Sequence, residues 1–221
     1  MKVIIEHLDD ELYEWCLLEY KHISKIVGKK NLVFTNVSHK MQKVMKKRSD
    51  EVFEGKQLEL SERLEQSERV EQLNELGKVE EKSIKDLKAK FGKICLLDPK
   101  GEKMLTTEDG KMFDAFLFGG ILGDSPMKGR TEKHFKDMGF ERRNLGDKQM
   151  STNTAVLVAH KIIDSGKRFE DLDFVNEIEI VLEDENGKTY SQILPYSYLV
   201  ENDRPILPDG LIEHLQKEEN E

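Results

Sequence analysis

The chain has 221 residues and a mass of 25.7 kDa, the size of one ordinary domain or one domain with an appendage. Charged residues make up 36 % and hydrophobic ones 37 %; the apolar run near the N-terminus is far too short for a signal peptide or a membrane span, and no other run approaches ~18 apolar residues. The net charge of −9 is unevenly spread: residues 164–221 carry 5 basic and 16 acidic side chains, which argues against a sequence-independent nucleic-acid binder and for a basic partner.

Val3–His7 reads as a short buried strand. Asp9, Asp10 and Glu11 place negative charge where a helix N-terminus favours it. Leu12, Trp15, Cys16, Glu19, Tyr20, Ile23, Ile26 and Val27 then follow helical spacing, so a helix is expected over 10–27 with Gly28 as its cap. Leu32-Val33-Phe34 is the next strand, completing a βαβ opening. Residues 40–90 hold 13 basic and 12 acidic side chains around a thin stripe of Leu60, Leu64, Val70, Leu73 and Leu76. That pattern reads as a charged helical insertion, solvated or acting as a docking arm.

The strand pattern returns at Lys93–Leu97, Phe113–Phe118 and Phe140–Leu145, with helices expected at 128–138 and 153–164. Phe174–Leu182 and Thr189–Leu194 alternate apolar and polar residues around Asn186-Gly187, a strong hairpin signal. A short helix over Leu211–Leu215 closes the pattern. Cys16 and Cys95 each lie in an apolar segment without the spacing of a zinc site, so no metal is expected and both read as free thiols of a reducing cytosol.

Strands alternating with helices give an α/β fold with a mainly parallel sheet. Ligands of such sheets bind beyond the carboxyl ends of the strands, so three strand ends become candidates. Leu97-Asp98-Pro99 alone is a strand followed by a turn. Phe118-Gly119-Gly120 with Gly123 and Asp124 fits either a ligand loop or a tight turn, and matches neither a P-loop nor a dinucleotide fingerprint. The polar stretch Arg142–Ala155 is longer than a strand-to-helix connection needs, and Ser151, Thr152 or Thr154 could cap the helix that follows.

The order of Leu-Leu-Asp-Pro at 96–99, Phe-Gly-Gly-Ile-Leu-Gly-Asp at 118–124 and Leu-Gly-Asp-Lys-Gln-Met at 145–150 with a Thr-rich helix start resembles the SPOUT methyltransferases. More narrowly, with Ile-Ile-Glu-His-Leu at 4–8, Glu14-Trp15 and Pro-Ile-Leu-Pro-Asp-Gly at 205–210, it is similar to the fungal-type SPOUT protein arginine methyltransferases acting on a small-subunit ribosomal protein. The resemblance spans residues 1–39 and 91–215. Asn144 inside the arginine–leucine junction departs from the pattern, as does the long 40–90 segment.

The resemblance implies helices on both faces of the sheet, a trefoil knot, a SPOUT domain over 1–172 and an acidic, hairpin-containing extension over 173–221. It implies S-adenosylmethionine as methyl donor and S-adenosylhomocysteine as product. The pocket would be built from Leu97, Asp98, Pro99, Phe118, Gly119, Gly120, Gly123, Leu145, Gly146, Asp147, Lys148, Gln149, Met150, Thr152 and Thr154. An arginine acceptor is a poor nucleophile because its guanidinium stays protonated, so carboxylates are needed to orient it and take up a proton. Glu6, Glu19 and Asp124 are the candidates, with Arg130 orienting Asp124 or meeting the donor's carboxylate. Alternative readings are an RNA methyltransferase of the same fold, a catalytically silent donor-binding module and an unrelated nucleotide-binding domain. The acidic C-terminal quarter favours a basic protein substrate over RNA. The expected setting is cytoplasmic, as a monomer or homodimer.

Overall fold

Six of these runs lie side by side as one parallel sheet. The computed structural model describes residues 1–37, 57–120, 130–183 and 187–218, and the side chains of 57–64, 130 and 218 fall outside that description. The strands are β1 (Val3–His7), β2 (Leu32–Thr35), β3 (Lys78–Val79), β4 (Ile94–Leu97), β5 (Ala115–Gly120) and β6 (Glu141–Arg143). Their order across the sheet is β3-β2-β1-β5-β4-β6. Every neighbouring pair is parallel, which requires crossovers through helices.

Strand side chains alternate between faces, so both faces must be covered. Val3 and Ile5 pack with α1 (Glu14–Val27) and with Val156, Val158 and Ile162 of a later helix. Ile4 packs on the opposite face with Ile84, Leu87, Phe91 and Phe135. The remaining helices are α2 (Gln57–Leu76), α3 (Ile84–Leu87), α4 (Asp109–Met112), α5 (Arg130–Phe135), α6 (Thr152–Ile163) and α7 (Leu211–Glu218). A second sheet is built from the antiparallel pair β7 (Phe174–Glu183) and β8 (Thr189–Glu201) with the two-residue β9 (Arg204–Pro205). Gly187 takes φ +78° at the hairpin turn, as the Asn-Gly signal requires, while Asn186 lies outside the described residues. The apolar side of this sheet packs on Leu18 of α1 together with Leu211 and Leu215 of α7.

Three expectations change. The helix expected from residue 10 begins at Glu14, because α2 takes up the backbone before it: Leu12 N–H donates to Gln66 Oε1 at 2.9 Å and Arg69 Nη1 donates to the Leu12 carbonyl at 3.1 Å. The strand expected over 113–118 is shifted to Ala115–Gly120. Asp114 accepts the Lys93 N–H at 2.7 Å, which holds the chain in a turn there, and Gly119 and Gly120 pair in register with Glu6 and His7. The third correction concerns the charged segment. Val70, Leu73, Ile84 and Leu87 are buried in the two cores, β3 is an edge strand of the sheet, and Ser24 Oγ donates to the Leu76 carbonyl at 2.7 Å. The described part of 40–90 is therefore structural; the Leu60 and Leu64 side chains and residues 40–56 are outside what is described.

Candidate active site

The carboxyl ends of β5, β4 and β6 are adjacent in the sheet, so Gly119-Gly120, Leu97-Asp98 and Arg143-Asn144 lie side by side, while residues 121–129 of the second loop lie outside the described residues. The loop after β4 is tied to the end of β6. Leu105 N–H donates to the Asn144 carbonyl at 2.9 Å, and Asn144 Nδ2 donates to the Gly101 carbonyl at 2.7 Å. Asn144 Oδ1 accepts the Gly146 N–H at 3.1 Å, so the residue that departs from the pattern staples two loops together. Gly101 is required by this close approach: a Cβ there would lie 2.8 Å from the Arg143 backbone. Beneath the loops Arg143 Nε pairs with the buried Asp109 Oδ1 at 2.9 Å, and Asp109 Oδ2 accepts the Thr106 N–H.

The proposed donor residues separate into two kinds. Leu97, Phe118, Gly120, Leu145, Thr152 and Thr154 are buried, while Pro99, Asp147 and Lys148 lie at the rim. The Asp98 side chain serves its own turn, with Oδ1 accepting the Lys100 N–H at 2.9 Å and Oδ2 3.1 Å from Arg142 Nη1. The Asp98–Arg142 contact has ion-pair distance without hydrogen-bond geometry. Thr152 Oγ1 donates to the Gly119 carbonyl at 3.2 Å, which joins the start of α6 to the end of β5. Gln149 and Met150 pair with Ser197 of β8. Gly123, Asp124 and the Arg130 side chain lie outside the described residues.

The glycines leave less room than their sequence suggests. A Cβ on Gly120 would fall 2.4 Å from the Tyr20 hydroxyl and 2.6 Å from Ile5 Cγ2. Tyr20 is fixed there by His7: Nε2 donates to the Glu11 carbonyl, so Nδ1 is the acceptor for the Tyr20 O–H at 2.9 Å, and burial keeps the ring neutral by lowering its pKa. The space beside Gly120 is thus filled by the protein itself. Gly120→Val should cost about 1–3 kcal/mol by overpacking, measurable as a lower urea midpoint; an unchanged midpoint would show that Tyr20 yields freely. Gly146 differs. Its φ of +83° and a would-be Cβ 2.8 Å from Phe169 Cζ make it a conformational requirement of the third loop.

Glu19 comes forward. It is buried on α1, where Trp15 Nε1 donates to Oε1 at 3.1 Å and the Asn153 N–H donates to Oε2 at 3.3 Å. The cap expected from a hydroxyl is therefore supplied by another helix. Ser151 sits at the N-cap, but its O–H reaches Asn153 Oδ1 and Thr154 Oγ1 instead. Donors and a helix N-terminus favour the ionised carboxylate, yet burial outweighs them and pushes the Glu19 pKa up to about 7. A carboxyl poised near neutrality is suited to proton transfer.

Glu6 is placed differently. It shares the face of Ile4, opposite α1, and is fully buried. Its Oε1 meets Ser83 Oγ at 2.5 Å and His134 Nε2 at 3.0 Å, and its Oε2 accepts from Thr35 Oγ1 and from the Ile84 N–H at 2.9 Å. Four donors fill the carboxylate's acceptor positions. Sequence reasoning missed His134, Asn153 and His22, whose Nδ1 lies 3.0 Å from Asn153 Nδ2. No spacing marks them, since each partner is remote in sequence. Among the described residues no group of His, Cys, Asp and Glu converges as metal ligands would, and no helix is long and apolar enough to cross a membrane.

Comparison with known proteins bears on this arrangement. The family model described as protein arginine N-methyltransferase SFM1-like matches residues 2–221. Protein arginine N-methyltransferase SFM1 of Saccharomyces cerevisiae is 33 % identical over 223 residues, covering 99 % of this chain and 95 % of that protein. The crystal structure of the yeast arginine methyltransferase SFM1 complexed with SAM superposes with a TM-score of 0.73 at 29 % identity, covering 100 % of this chain and 92 % of that one. The complex with SAH gives 0.72 at 29 % identity over 97 % and 94 %. The dual specific Trm10 from Thermococcus kodakaraensis, 15 % identical over 77 % of this chain and 96 % of that one, shares the fold with a TM-score of 0.50.

Proposed function

The chain belongs to the SFM1-like protein arginine N-methyltransferases, and on that premise we propose that it methylates an arginine of a basic protein with S-adenosylmethionine as donor. The observation that carries the assignment of roles is Glu19, a buried carboxyl against the start of α6, where the third loop ends, with its pKa raised to about 7.

The donor would be held by backbone groups at Leu97–Pro99, Phe118–Gly120 and Leu145–Met150. The fit rests on the adjacency of these strand ends in the sheet and on the positive φ of Gly146, which turns the third loop. When bound, S-adenosylmethionine supplies an electrophilic methyl on a sulfonium. The chain's own task is to orient the guanidinium, exclude water and remove one proton. Glu19 in its ionised form pairs with the incoming cation, fixing its plane. As the N–C bond forms and the methyl–sulfur bond breaks, the proton released from nitrogen passes to Glu19. Trp15 holds Oε1 in place for this through its indole N–H. Asp124 and Arg130 remain candidates for a second contact, to the guanidinium and to the donor's carboxylate. The trefoil knot, the cytoplasmic setting and a small-subunit ribosomal protein as substrate belong to the same proposal.

Recruitment falls to the outer side of the β7–β8 hairpin. Val181 and Ile193 are 67 % and 59 % exposed there, among Glu177, Glu179 and Glu183. Glu179 and Ile193 are register partners. An acidic surface with an apolar centre suits a basic protein and repels phosphate. Neutralising Glu177, Glu179 and Glu183 together should weaken substrate binding and flatten its salt dependence, because exposed charges are screened within ~8–10 Å at ordinary ionic strength. A salt titration of substrate affinity checks this, and unchanged binding at low salt would make the surface merely solubilising. The function itself is tested by incubating the protein with labelled S-adenosylmethionine and matched pools of ribosomal proteins and RNA. Label on protein arginine is expected; label confined to RNA would overturn the reading.

A further inference from the structure

Glu6 and His134 form a pair that the proposed chemistry does not use. Glu6 is 0 % exposed at the end of β1, in register with Gly119 of β5, and His134 is 31 % exposed on α5. Because a carboxylate oxygen only accepts, His134 Nε2 is the donor across the 3.0 Å contact. The other three donors to Glu6 come from β2 and from the start of α3, where Ser83 also caps the helix by accepting the Lys85 N–H at 3.2 Å. Glu6 therefore joins β1, β2, α3 and α5 through one buried carboxyl.

Among the described side chains, this bond is one of few that tie α5 down. Phe135 anchors it in the apolar core beside Ile4. Glu132 pairs with Lys100 in the loop after β4. Thr131 lies against Gly119, so close that a Cβ on the glycine would stand 2.8 Å from its Oγ1. These ties differ in what they constrain. The Glu132–Lys100 pair is exposed and contributes little. Phe135 fixes depth but, being apolar, not rotation. Among the described side chains of α5, His134 on Glu6 makes the buried directional bond, three residues from the Thr131 that lies on Gly119.

We propose that His134, held on Glu6, is a positioning residue for the methyl donor: the pair seats α5 against the end of β5, where Phe118–Gly120 would hold the donor. This rests on the donor site proposed above. Without the bond α5 rotates away, the strand end is correctly covered in only a fraction of molecules, and apparent donor affinity falls by that fraction.

Calorimetry with S-adenosylhomocysteine, steady-state kinetics and thermal melts on wild type, His134→Ala and His134→Gln form the test. Gln keeps an N–H donor at comparable reach. His134→Ala should raise the Kd for S-adenosylhomocysteine and the KM for S-adenosylmethionine about tenfold, as expected for a competent fraction near one in ten. Its kcat at saturating donor should stay within about threefold of wild type, because the reacting groups are untouched. His134→Gln should recover most of the affinity. An unchanged Kd in His134→Ala, a Gln variant as weak as the Ala variant, or a fall in kcat at unchanged KM would each overturn the proposal. Wild-type protein that fails to bind S-adenosylhomocysteine would overturn the donor site itself, a distinct result.

Discussion

Replacing Glu19 by Gln should lower turnover by on the order of 10²–10⁴, the usual scale for losing a positioned acid–base group. Donor affinity should stay within a few-fold of wild type, since the lost interaction matters only once the guanidinium is in place. The pH profile gives a second readout. With its pKa at about 7, Glu19 is increasingly ionised above neutrality, so wild-type kcat/KM should rise with pH through that region, and the rise should vanish in the variant. Stability moves the other way. A carboxyl whose folded pKa exceeds its ordinary value of 4.5 favours the fold most below that value, and the favour is lost as pH rises through about 7. Between pH 5 and 8 wild type should therefore lose stability relative to Glu19→Gln, as urea denaturation at several pH values would record. Parallel stability curves, or a variant with near-normal turnover, would remove Glu19 from the reaction.

Leu73→Ala is the second large effect. Leu73 is fully buried between α2 and the core that contains Val3, Leu17 and Phe34. Truncating a buried leucine costs about 2–5 kcal/mol, depending on how far the site collapses. For a protein whose total stability is about 5–15 kcal/mol, that is a substantial part of the fold. Excising residues 65–85 altogether removes Val70, Leu73 and Ile84 from the two cores, and strips Glu6 of Ser83 and the Ile84 N–H. Such a deletion should yield no soluble folded protein. Soluble protein with an unchanged melting temperature would return the segment to the status of an insertion.

The contrast between α2 and the strands shows what periodicity can reveal. Ile94–Leu97 is a continuous apolar run and Val3–His7 an apolar run that ends in Glu6 and His7; each is buried on both faces, and the apolar stretch alone marks it. The Asn-Gly turn marks the hairpin for an equally local reason. α2 is hard to place because so little of it is apolar: one narrow stripe suffices to dock a helix, and the same stripe serves a solvated arm. The site divides in the same way. Glycines and loop length single out the second and third strand-end loops as candidates, whereas the first, Leu97-Asp98-Pro99, reads alone as a strand and turn and joins them only through the family resemblance. How the two carboxyls differ is not legible, because Glu6 and Glu19 look alike until the structure puts four donors on one and a half-capped helix beside the other. The glycines mislead in one respect. Gly120 signals close approach correctly, but the approaching group is Tyr20.

The bond from Ser197 N–H to the Gln149 carbonyl, 2.8 Å long, makes the terminal hairpin a wall of the third loop. The recruiting and donor-binding roles proposed for these two segments are consequently not separable by cutting the chain. A truncation before β7 would take the partner of Gln149 away along with the acidic surface, and lost methylation in such a fragment reports on both at once. The same contact limits grafting: a hairpin exchanged to change what the surface recognises has to arrive with a 145–150 loop that fits it, so the two segments are best moved together.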